Sequence, residues 1–226
     1  MVNIDTVYQR VLAVANKEQR GYITPQEFNL LANQAQMDIF EQYFYDLNQF
    51  SRIPNNNTEY ADMVKLLDEK ISIFKTSSNL VYSSPNFILP GEIYRLGSII
   101  YNVREVERVS DKELSYINIS PLTKPSLIRP IYVKNNGSIR VYPDNIQTNV
   151  FCNFIRKPLT PSWGYVVVNE KALYNANNTT HFEIHDSESV ELVNKILLLA
   201  GITLKSPDLS QLSLTEQQQK IQQEKQ

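Results

Sequence analysis

The sequence predicts an α+β protein, and three observations predict it. Apolar residues recur at helical spacing through about residue 77, and the period falls to two beyond residue 78. Helical spacing then returns near 187–200, in a segment too apolar to stand in water alone. The expected architecture is an N-terminal helical bundle completed by that late helix. It comprises residues 1–77 and 186–226, with 78–185 as a β-rich insertion.

The first helix carries Ile4, Val7, Val11, Val14 and Ala15 on one face behind Asn3, a good cap, and closes at Lys17, Arg20 and Gly21. Thr24-Pro-Gln-Glu27 then offers a cap, a proline at the first helical position and a glutamate three residues after the cap, which is a capping box. From Phe28 through Ile39, Phe40, Tyr43 and Phe44 to Phe50 the apolar positions spread widely, so this helix is expected to be buried on two sides. Pro54 and three asparagines break the pattern, and Thr58 can cap a third helix with Tyr60, Met63, Val64, Leu67, Ile71 and Phe74 inward.

Seven β-rich runs follow: Asn86 to Leu89, Ile93 to Val103, Glu105 to Val109, Tyr116 to Ile119, Ile128 to Lys134, Ser138 to Tyr142 and Val150 to Arg156. Asn136-Gly137 is expected to supply the two left-handed residues of a tight hairpin. In the last helix, capped by Asp186 or Ser187, Val190, Val193, Ile196, Leu197 and Ala200 share a face and Gly201 marks the stop. The tail from Leu209 to Gln226 is helix-permissive and too polar to bury itself, so it is either frayed or ordered by a neighbour.

Composition narrows function. The 226 residues carry a net charge of −2, with 22 Asn and 15 Gln against two His. Neutral amides are poor acid–base groups, and a single Cys allows no internal disulfide. No apolar run approaches the ~20 residues a bilayer needs, and the Met1-Val-Asn-Ile-Asp5 start lacks the marks of a secretory signal, so cytoplasmic assembly is expected. The charge is segregated. Residues 27–69 hold eight acidic against two basic residues, whereas 129–157 hold five basic against one acidic.

Candidate chemistry is sparse. His181-Phe-Glu-Ile-His185 could be read as a metal site with Glu183, but in an extended segment the imidazoles stand ~13 Å apart and no third ligand is near. Locally hydrogen-bonded histidines are the better reading. Cys152 sits in an alternating run as a small buried hydrophobe, and no nucleophile elbow, phosphate-binding loop or Cys/His metal pattern occurs. Arg140, Tyr142, Arg156 and Trp163 mix charge with stacking surfaces, which keeps open a monomeric nucleic-acid or glycan binding module. A metal-dependent enzyme is the third alternative. No catalytic residue, cofactor or metal ligand is expected.

Two stretches carry a resemblance. Residues 11–44, from Val11-Leu-Ala-Val-Ala-Asn-Lys-Glu to Ile39-Phe-Glu-Gln-Tyr-Phe44, are similar to the opening helices of virion proteins of short-tailed and crAss-like phages. Val150-Phe-Cys-Asn-Phe-Ile-Arg-Lys-Pro-Leu-Thr-Pro-Ser-Trp-Gly-Tyr165 resembles a strand and Trp-Gly loop found later in the same proteins. The resemblance implies a ring protein of the head-to-tail connector or tail barrel, located in the virion at the head–tail junction. It implies a homo-oligomer, a dodecamer matching the portal, that stacks on the portal and other ring proteins while double-stranded DNA passes, with no active site. Arg156, Lys157, Trp163 and Tyr165 are the expected contact residues, because two prolines stiffen their loop and these residue types dominate interfaces. The competing explanation is that Trp163 caps its local core.

Overall fold

Caps decide where the helices begin. In the computed structural model, which describes residues 1–17, 23–51 and 58–203, the Asn3 side chain accepts from the Asp5 and Thr6 amides at 2.9 and 3.3 Å and starts α1 (Ile4–Lys17). Thr24 and Glu27 exchange the capping-box bonds that start α2 (Pro25–Ser51). After α3 (Thr58–Ser72) the chain leaves the helices, and α5 (Ser189–Thr203) returns to pack on α1 and α2. The predicted bundle is present. The predicted polar tail lies outside the described residues.

Two details of the helices differ from expectation. The buried residues of α2, from Phe28 and Ala32 to Tyr43 and Phe44, form one broad stripe, and Leu30 on the other side is exposed. That stripe is wide enough to meet both α3 and α5. In α5, Leu192 rather than Val190 completes the inward face, Val190 points to solvent, and the helix runs through Gly201. Helical burial elsewhere on α5 outweighs the roughly 1 kcal/mol cost of an interior glycine.

Along the chain between α3 and α5 come the strands of an eight-stranded sheet: β1 (Lys75–Asn79), β2 (Val81–Ser83), β3 (Asn86–Ile88), β4 (Ile93–Tyr101), β5 (Arg104–Arg108), β6 (Ile131–Asn135), β7 (Ser138–Tyr142) and β8 (Val150–Arg156). Its order is β1-β8-β4-β5-β6-β7-β3-β2, antiparallel except for β5–β6. The two end strands, β1 and β2, are joined by Leu80 alone. Since consecutive Cα atoms stand about 3.8 Å apart, the ends of the order must meet and the sheet curls on itself in the manner of a barrel. Phe87, Ile99, Ile139, Val150 and Cys152 fill the interior.

Tyr116–Ile119, expected as a strand, belongs instead to helix α4 (Asp111–Ile119). Ser110 accepts from the Glu113 amide while the Glu113 carboxylate accepts from the Ser110 amide, and this capping box outweighs the β-rich composition. At the β6–β7 turn only Gly137 is left-handed, with φ 69°; Asn136 keeps a negative φ. Strands β1 and β2 were not legible as β-rich runs, and neither was the hairpin β9 (Tyr165–Val168) and β10 (Lys171–Tyr174).

The chain divides into two compact units, residues 1–73 with 158–226 and residues 74–157. Residues 158–185, expected within the insertion, therefore go with the helices. By composition the helical unit holds 11 basic and 18 acidic residues, a balance of −7, and the sheet unit 11 basic and six acidic, a balance of +5.

Candidate interaction surfaces

The loop singled out by its prolines is held by amides from α2. Asn29 and Gln36 stand seven residues apart, hence on one helix face. The Asn29 carbonyl accepts from the Trp163 amide at 2.7 Å, and its Nδ2 donates to the Trp163 carbonyl at 3.3 Å. Gln36, fully buried, donates to the Leu159 carbonyl at 2.8 Å and accepts from the Glu183 amide at 3.0 Å. The buried Glu183 carboxylate in turn accepts from the Leu159 amide at 2.8 Å. An irregular loop has no ladder to satisfy its backbone, and here two side-chain amides and a carboxylate take the ladder's place.

Trp163 is the centre of this arrangement. Its indole Nε1 donates to Asp5 at 2.9 Å, and its ring lies 4.6 Å from Tyr8 and 5.8 Å from both Tyr165 and Tyr174. With 3% of its surface exposed it is a core residue of the helical unit. Gly164 follows because a Cβ there would stand 2.6 Å from the Asn178 carbonyl oxygen. Tyr165 remains half-buried as the first residue of β9. Arg156 ends β8 in the sheet unit and Lys157 follows it; Arg156 donates to the Lys157 carbonyl at 3.2 Å, and Lys157 is exposed. The four expected contact residues thus fall into two units, and only Lys157 is fully open.

The histidines have local roles. Nδ1 of His181 accepts from the Ile4 amide at 3.4 Å, and Nδ1 of His185 accepts from the Ser187 amide at 3.3 Å, capping the turn that leads into α5. The segment between them is extended, with Phe182 bridged to Val2. No group of three or more His, Cys, Asp or Glu side chains converges among the described residues. Burial pushes the Cys152 thiol up to about 11, so at neutral pH it is protonated as well as enclosed. Arg140 pairs with Asp144 at 3.2 Å and lies over the Tyr142 ring at 5.0 Å, on an exposed face of the sheet unit.

What residue-level reading missed is apolar. Val166, Val167, Val168 and Leu173 on the β9–β10 hairpin are all exposed, and so are Tyr116, Ile119, Leu122 and Ile128 in and after α4. The run Tyr165-Val-Val-Val168 was the available signal, but its turn is Asn169-Glu170 rather than an Asn-Gly pair. Among the described residues no helix is long and apolar enough to cross a membrane. No family model and no curated protein matches the chain.

Proposed function

We propose that this chain is a structural subunit of a phage head-to-tail connector or tail barrel, assembling into a ring of twelve copies that stacks below the portal as a conduit for the genome. The observation that carries the reading is the division of one chain into a unit of charge −7 and a unit of charge +5. In a closed heterologous ring each subunit offers one patch and receives another, so opposite charges on different units of the same chain are self-complementary around the ring. The buried thiol and the two hydrogen-bonded histidines support a role without catalysis. DNA passes such a surface without being gripped, and the ring's partners are its own copies, the portal and neighbouring ring proteins.

Light scattering and negative-stain microscopy of the full chain, alone and with its portal-side neighbour, test this. Rings in either setting support it. A strict monomer in both settings that retains a nucleic acid or glycan through the Arg140–Tyr142 face would replace it with the binding-module reading.

A further inference from the structure

Strands β4 and β5 part inside the sheet unit, and a bulge marks the place. Leu96 pairs with Phe154 and Ile99 with Cys152, which leaves Gly97 and Ser98 facing Asn153 alone. The fit there is close: a Cβ on Gly97 would stand 2.7 Å from the Asn153 carbonyl oxygen, and Asn153 Nδ2 donates to the Ser98 hydroxyl at 3.0 Å. An extra residue bends its strand and sharpens the twist. The β4–β5 register accordingly runs from Tyr101 opposite Arg104 to Ile99 opposite Val106 and stops at the bulge, while Glu107 and Arg108 pair with β6 instead.

Where the strands part there is a cleft of about 550 Å³, within the ~300–1,000 Å³ of small-molecule sites. Leu96, Ile99 and Val106 supply its apolar wall. Alternation turns Arg108 to the same side of β5 as Val106, and the parallel register sets it beside Tyr132. Tyr132 is 4% exposed with its ring in the sheet core, and its hydroxyl, which makes no hydrogen bond among the described residues, opens to the cleft. Burial lifts that hydroxyl above the ordinary phenol range despite the opposing pull of Arg108, with Cys152 and Glu105 adding to the lift, so it remains a donor. The Arg108 and Glu105 side chains likewise have no ion-pair partner among the described residues, whereas Glu107 is held by Arg129 at 3.0 Å.

We propose that this cleft binds a small zwitterion with an apolar tail, of the class of the α-amino acids. Arg108 takes the carboxylate as a two-pronged donor, with the Tyr132 hydroxyl donating beside it. Glu105 takes the ammonium, and the tail lies against Leu96 and Val106. The two partnerless charges are opposite, so a lone anion or a lone cation would leave one of them unmatched. A sugar would favour an open aromatic face, and the Tyr132 ring is sunk in the core. The inference concerns the sheet unit alone and stands apart from the ring reading.

The test is calorimetric titration of the full chain with leucine, methionine and phenylalanine, and with isocaproate and isoamylamine, which each lack one of leucine's charges. Saturable millimolar or tighter binding of at least one of the amino acids is expected, with isocaproate and isoamylamine each weaker than leucine by roughly tenfold or more. Arg108→Gln and Glu105→Gln, shown folded by circular dichroism, should each weaken binding of the amino acid by a similar factor, and Tyr132→Phe by several-fold. Arg140→Gln, elsewhere on the same unit, should leave it unchanged. Failure of all three amino acids to bind, equal binding of isocaproate or isoamylamine, or binding that survives Arg108→Gln overturns the assignment. Saturable binding of glucose in their place overturns it in favour of a sugar site.

Discussion

Replacing Gln36 with leucine asks whether an amide, rather than apolar packing, holds the 158–163 loop. The substitution keeps volume and burial but removes the donor to the Leu159 carbonyl and the acceptor for the Glu183 amide. Each buried backbone group left without a partner costs about 1–3 kcal/mol. The Leu159 carbonyl is the less enclosed of the two, and a leucine gains some apolar burial, so a net loss of about 3 kcal/mol is expected. For a chain of this size that corresponds to a fall of roughly 6–12 °C in melting temperature. Circular dichroism melts and urea midpoints of Gln36→Leu beside the parent measure it. A variant that melts within roughly 2 °C of the parent would refute the reasoning, since a 1 kcal/mol effect already moves Tm that far.

Trp163→Ala should cost about 3–5 kcal/mol through the cavity it leaves, with the Asp5 carboxylate losing its donor, and thermal melts should show it. If instead the melt is unchanged while assembly fails, Trp163 acts at an interface and its core assignment falls. Glu170 holds a left-handed φ of 64° in the β9–β10 turn, so Glu170→Gly should raise stability by about 1 kcal/mol, read as a higher Tm; a fall would refute the strain. The Ser110 amide and hydroxyl hold the Glu113 carboxyl below its ordinary range. A carboxyl depressed in the folded state stabilises above its ordinary value and loses that contribution as pH falls through the depressed one. Glu113→Gln should therefore flatten the acid limb of a stability–pH curve, and an unchanged limb would count against the box.

What was legible in the sequence had a local physical cause. Asn3, Thr24 and Glu27 cap helices through partners two or three residues away, so the caps can be read from the chain itself. Helix α4 could not be read from periodicity because it buries nothing and so carries no apolar stripe; only its capping box betrays it. Strand β1, Lys-Thr-Ser-Ser-Asn, is polar because it closes the end of the sheet order. The amide clip was out of reach for a different reason. Gln36 meets Leu159 across 123 residues and Asn29 meets Trp163 across 134, distances over which composition says nothing.

The abundance of amides gains meaning from these two residues. Asn29 and Gln36 show one use the sequence makes of neutral hydrogen-bonding groups, satisfying irregular backbone inside a unit without adding charge. Trp163, expected among the contact residues, is committed to the core beside them. In the proposed ring, attraction between oppositely charged units of neighbouring copies should weaken as salt rises.

Sedimentation velocity of the full chain with its portal-side neighbour, across concentration at low and high salt, tests ring assembly most directly. The account predicts a closed species of fixed stoichiometry that forms with rising concentration and weakens as salt rises. A chain that remains monomeric at every concentration and salt in that mixture would contradict it.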